Sequence, residues 1–163
     1  MNPIRIDPLL INQVSQKARK NPRKRLNHNF HQLTDKVQRF LNAVEPESYI
    51  RPHLHKDPKF ETFLILRGKG AVLIFDHKGG IEQVIFLEFP NGTLGVDIPP
   101  EVFHTLVSLA EESLFYEIKP GPFDPDADKG FADWAPEENT PESKEYLRSL
   151  NEQITRFHHH PNK

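Results

Sequence analysis

The chain has 163 residues, a formal charge of -2 and no cysteine. A single domain of this length buries roughly two-thirds of its unfolded surface without staples, and the lack of thiols excludes disulfides, Cys nucleophiles and any metal site not built from nitrogen and oxygen. No apolar run nears the roughly 18 residues of a membrane span, and Met1-Asn2-Pro3-Ile4-Arg5-Ile6-Asp7 has no apolar core behind a basic start, so the expectation is a cytoplasmic protein with no membrane partner.

Asp7-Pro8 reads as a helix cap and first helical residue, with Leu10, Val14 and Ala18 at helical spacing until Asn21-Pro22. Lys17, Arg19, Lys20, Arg23, Lys24 and Arg25 cluster here, against Asp124, Asp126, Asp128, Asp133, Glu137, Glu138 and Glu142 late in the chain. This split reads as solvated surface or pairing between the two ends, and no nucleic acid is expected. Arg25, Asn27, Asn29 and His31 alternate with Leu26, His28 and Phe30, so an extended segment would present a polar row suited to hydroxyls or a carboxylate, or would serve as an edge strand with His31 behind the site. A second helix is expected from Thr34 or Asp35, because Val37, Phe40, Leu41 and Val44 fall at i, i+3, i+4 and i+7 and Pro46 follows.

From Tyr49 to Lys119 the pattern changes to short strands between turn signals, the mark of an all-β sandwich or barrel. The expected strands are Ser48–His53, Glu61–Arg67, Gly70–Asp76, Gln83–Glu88, Gly95–Ile98, Thr105–Leu109 and Leu114–Lys119, with hairpin turns at Asp76-His77-Lys78-Gly79-Gly80 and Pro90-Asn91-Gly92. The Pro-rich stretch from Pro120 to Pro136 reads as a loop wrapped over the barrel and anchored by Phe131 and Trp134. Thr140-Pro141 caps a last helix with Tyr146, Leu147, Leu150 and Ile154 on its apolar face. The organisation expected is an N-terminal flank over 1–45, a barrel over 46–123, and a wrapping loop with a C-terminal helix over 124–163. His158-His159-His160 reads as a purification tag or a frayed tail and stays outside the site.

His53 and His55 are two residues apart, which in an extended segment puts both imidazoles on one face. Glu61 opens an otherwise apolar strand and needs a partner if it points inward. His104 follows the Pro-rich turn Asp97-Ile98-Pro99-Pro100 and leads into a strand. Three imidazoles and a carboxylate suit one divalent ion, Fe, Mn, Ni or Zn, with one or two positions left open for chemistry.

This order of residues resembles the two motifs of the cupin superfamily, with two departures: five residues separate His55 from Glu61, and Glu101 stands where the second motif usually has Gly. Nearly the whole chain resembles the WbuC-type cupin fold metalloproteins. The resemblance is carried by Arg25-Leu26-Asn27-His28-Asn29-Phe30-His31, Val37-Gln38-Arg39-Phe40-Leu41-Asn42-Ala43, Tyr49-Ile50-Arg51-Pro52-His53-Leu54-His55, Glu61-Thr62-Phe63, Val96-Asp97-Ile98-Pro99, His104-Thr105, Glu117 through Phe123 and Phe131 through Glu137. It implies a double-stranded β-helix, the cupin jelly roll, with flanking N-terminal and C-terminal helices. It further implies a metal at His53, His55, Glu61 and His104, and an association with bacterial surface-polysaccharide gene clusters.

The two-residue period puts Tyr49 and Arg51 on the face of His53 and His55, and Glu117 with Lys119 would line the barrel from the last strand. Arg51 suits an anionic substrate group, or it pairs with Glu117. The expected function is that of a metal-dependent enzyme acting on a small polar molecule, such as a sugar or a sugar acid. The alternatives are a non-catalytic module in which the metal anchors a ligand, and a barrel whose ion only stabilises the fold. A homodimer is expected by analogy with cupins.

Overall fold

The computed structural model describes residues 3–125 and 128–159; Asp126 of the acidic cluster, His160 of the histidine run and Met1-Asn2 lie outside the described residues. Helix α1 (Pro8–Lys20) begins as its sequence dictates. Asp7 Oδ1 accepts the Leu10 N–H at 3.0 Å, Pro8 occupies the first turn, and Lys17, Arg19 and Lys20 sit at the negative end of the helix dipole. Strands β1 (Arg25–Asn29) and β2 (Val37–Val44) then pair as an antiparallel hairpin.

The segment expected to form a second helix is thus the strand β2. Both of its faces are covered: Gln38, Phe40, Asn42 and Val44 are buried on one side, while Leu41 and Ala43 pack with Val14 and Ala18 of α1 on the other. A strand buried on both faces reads as a continuous apolar run, and such a run matches helical spacing by coincidence. The first sheet therefore begins at Arg25, ahead of residue 46.

The remaining strands are β3 (His53–Leu54), β4 (Glu61–Arg67), β5 (Lys69–Phe75), β6 (Ile81–Glu88), β7 (Gly95–Ile98), β8 (Phe103–Ser108), β9 (Ser113–Pro120) and β10 (Gly130–Phe131), before helix α2 (Pro141–His159). They form two antiparallel five-stranded sheets, ordered β1-β2-β9-β4-β7 and β10-β3-β8-β5-β6. Ile50, Phe63, Ile65, Val72, Leu87, Leu106 and Phe115 fill the space between them. Outside, α1 covers the first sheet, and α2 lays Tyr146, Leu147, Leu150 and Ile154 on Leu73, Phe75 and Val107 of the second. None of the described helices is long and apolar enough to cross a membrane.

Three local expectations change. Of Ser48–His53, only His53 enters a ladder, because Pro52 has no N–H to give and the carbonyls of Tyr49 and Ile50 are taken by Arg25 and Thr105 side chains. The turn at Pro90-Asn91-Gly92 carries the chain from the second sheet to the first and makes no hairpin, whereas Asp76–Gly80 does join β5 to β6. In the wrapping loop Trp134 packs on Phe75 and Phe103, but Phe131 stays half exposed under the Arg51 guanidinium. His158, in the last turn of α2, has its ring against Phe86.

Candidate metal centre and its chamber

The two sheets bring four distant residues to one point. His53 in β3 stands directly opposite His104 in β8, His55 follows two residues later, and Glu61 projects from the start of β4 on the facing sheet. All four are buried, and their candidate ligand atoms lie within 4.8 Å of one another. The Glu61 carboxylate oxygen Oε2 is 3.0 Å from His104 Nε2, 3.3 Å from His55 Nε2 and 3.9 Å from His53 Nε2.

Each imidazole is oriented by the backbone. Nδ1 lies 2.9 Å from the Arg51 carbonyl in His53, 2.6 Å from the Asp128 carbonyl in His55, and 2.9 Å from the Val102 carbonyl in His104. A carbonyl only accepts, so Nδ1 carries the proton and Nε2 presents its lone pair inward. The Nε2 atoms of His53 and His55 are buried without a hydrogen-bond partner. Three lone pairs around a carboxylate repel unless a cation stands between them. Donors about 2.1 Å from one ion lie roughly 3.0 Å apart at right angles and roughly 3.4 Å apart in a tetrahedron, and two of the three Glu61 distances match those values. The residues present fit one divalent ion with nitrogen and oxygen ligands.

The electrostatics agree. Burial, followed by the neighbouring Lys129 and His104, holds His53 well below the usual imidazole range, which keeps its lone pair free. The turn before His104 also explains the departure at Glu101. That residue has φ +64°, the left-handed region where glycine is at home, and it is held by its N–H to the His55 carbonyl and by its carboxylate on the Asp57 N–H.

A chamber of about 230 Å³ opens beside the cluster. Strand register sets its floor: Phe40, Glu117 and Phe63 form one row across β2, β9 and β4, and Lys119 follows two residues along β9. Glu117 accepts the Asn42 amide at 2.6 Å, and burial, with the Glu61 carboxylate adding to it, pushes its carboxyl up to about 8. Lys119 makes a buried ion pair of 2.6 Å with Asp128. Lys129 also lines the chamber, with no ion pair among the described residues.

Of the residues expected around the metal, Arg25, Asn27, Glu117 and Lys119 line this chamber. Arg25 is also tied to Glu138 at 2.6 Å, an ion pair between the basic and the acidic cluster. Asn29 lies on an adjoining groove. Tyr49 and Arg51 are placed elsewhere, because residues 49–52 are not a regular strand and it is Ile50 that faces the chamber. The Tyr49 hydroxyl bonds the Pro136 carbonyl, and Arg51 bonds the Ala132 carbonyl and does not reach Glu117. His31 bonds the Arg39 backbone, packs on the Phe40 ring and lines the same groove as Asn29. Gln38, Asn42, Asp128 and Lys129 escaped the sequence reading. Alternation of Gln38, Phe40 and Asn42 along β2 would have shown the first two, whereas no spacing marks the loop pair.

A family model described as "Domain of unknown function (DUF6016)" matches residues 6–87. The chain belongs to this family. The DUF6016 match runs from α1 into β6 and contains His53, His55 and Glu61, with His104 beyond it. No curated protein matches the sequence. Among solved structures, the capsular polysaccharide assembling protein CapF from Staphylococcus aureus is similar at 23% identity and TM-score 0.53, over 66% of this chain and 32% of CapF. This DUF6016 chain thus spans about a third of that protein's length. KdgF from Halomonas sp. is similar at 16% identity and TM-score 0.51, over 65% of this chain and 86% of KdgF. A cupin-2 domain containing protein from Shewanella frigidimarina has 22% identity and TM-score 0.45, over 59% and 80%. The fold is the cupin jelly roll, an all-β core with flanking helices.

Proposed function

We propose that this cupin is a metal-dependent enzyme acting on a small hydroxylated molecule that bears a carboxylate, such as a sugar acid. The observation that carries this is Lys129, which lines the chamber that holds the cluster, has no ion pair among the described residues, and is held by burial below the usual ammonium range, so that a ligand anion would restore its charge. The Lys119 and Arg25 charges are matched by Asp128 and Glu138. With a divalent ion and Lys129 set against Glu61 and Glu117, the chamber carries excess positive charge that an anion neutralises. A chamber of about 230 Å³ lies below the usual range for drug-sized ligands, which favours a metabolite of one ring or less.

His53, His55, Glu61 and His104 would hold the ion, which when bound supplies Lewis acidity and a template for the ligand's oxygens. Lys129 pairs the ligand carboxylate, and Glu117, fixed by Asn42, hydrogen-bonds a ligand hydroxyl. The resemblance to WbuC-type proteins and to a capsular polysaccharide assembling protein supports a role in making surface polysaccharide. The reading includes a homodimer, favoured by the open sheet edge at β7 beside exposed Leu64 and Leu94.

The test is calorimetric titration of the metal-loaded protein with glucuronate and with glucose. Glucuronate should bind the more tightly, and Lys129→Met should weaken it by roughly 10- to 100-fold, the worth of one charge-assisted hydrogen bond. Equal affinity for the two sugars, or glucuronate binding indifferent to Lys129→Met and to chelation, defeats the reading. Following the sugar by NMR over hours separates turnover from binding alone.

A further inference from the structure

The chamber is continuous with a groove of about 200 Å³: Asn27, Phe40, Lys119 and Phe123 line both. The groove adds Asn29 and Gln38. Its chemistry differs from that of the chamber. Lys119, its one ammonium, is already matched by Asp128, and the other polar groups include three carboxamides.

Gln38 is 2% exposed, and its amide nitrogen has no hydrogen-bond partner. A buried donor left unpaired costs free energy that a bound acceptor recovers. The amides of Asn27 and Asn29, on the same face of β1, have no partner among the described residues. A carboxamide both donates and accepts, as a sugar hydroxyl does, so three of them suit a row of hydroxyls where a single charged group would not. Phe123 is 39% exposed and Leu33 is 54% exposed at the rim, which gives an apolar surface for the C–H face of a pyranose ring.

Resting on the reading of the chamber as a sugar-acid site, we propose that this groove is a second sugar subsite, so that the chamber takes the terminal unit of a disaccharide or longer glycan. The neighbouring ring lies against Phe123 and hydrogen-bonds Asn27, Asn29 and Gln38.

The metal-loaded protein is titrated with three hexuronic acids (gluco, galacto and manno) and with disaccharides carrying each as the terminal unit. The best disaccharide should bind about tenfold more tightly than its monosaccharide, the worth of one or two neutral hydrogen bonds. Gln38→Leu and Asn29→Ala should remove that preference and leave monosaccharide affinity and metal content unchanged. Asn29 is exposed, so its variant folds even if the Gln38 variant does not. If monosaccharides bind and disaccharides bind no better, or the preference survives in both variants, the groove proposal is overturned while the chamber reading stands. If no uronate binds in either form, both fall.

Discussion

An imidazole whose Nδ1 proton is held by a carbonyl has one lone pair to offer, and His53, His55 and His104 are all in that state around Glu61. Removing one ring takes away a ligand but little of the core, which lies mainly in Phe63, Ile65, Leu106 and Phe115. His53→Ala and His104→Ala should each lose most of the bound metal, measured by elemental analysis after dialysis, while circular dichroism stays that of a β protein. Glu117 gives a pH prediction for the metal-free chain. Its carboxyl titrates at about 8 when folded, against 4.5 as the ordinary value. Between those values the folded chain holds the extra proton, so this group's contribution is fully present at acid pH and is lost as pH rises to about 8. Melting temperature should fall across that window, and Glu117→Gln, which cannot ionise, should flatten the fall. The four clustered residues were legible because their types and order permit one chemistry. Tyr49 and Arg51 were misplaced because a two-residue period holds only while the backbone stays extended, and Pro52 ends that regularity.

At the scale of elements, termini with local chemistry read well. Asp7-Pro8 and Asn21 bound α1, and Pro141 opens α2, because caps and prolines act within one turn. The strand β2 did not, because its burial depends on α1 above and on the opposite sheet below, both distant in sequence. Ala43 distinguishes the two readings. On a helix burying Val37, Phe40, Leu41 and Val44 it would lie off the apolar stripe, yet here it is 1% exposed beneath α1. Ala43→Glu should therefore destabilise the protein by about 3 kcal/mol or more, since a carboxylate there is buried without a partner. Chemical denaturation measures the loss, and a shift under about 0.5 kcal/mol, the size of a surface substitution, would contradict the observed packing.

For the whole molecule, the four-residue cluster joins the two sheets, with Glu61 from one and His53 and His104 from the other. An ion that binds only the folded chain stabilises it by mass action, about 2.7 kcal/mol at a hundredfold excess over Kd. For a domain of this size that is a rise in Tm of roughly 5 to 10 °C, reversed by a chelator. The wrapping loop shares in this. Its Phe131 pairs with His53 in the β10–β3 ladder, and its Asp128 carbonyl holds the His55 ring. A strap that orients a ligand is in turn held down by whatever the ligand grips, so charging the protein with its ion should slow tryptic cutting after Lys129, and stripping the ion should leave that bond the first to be nicked.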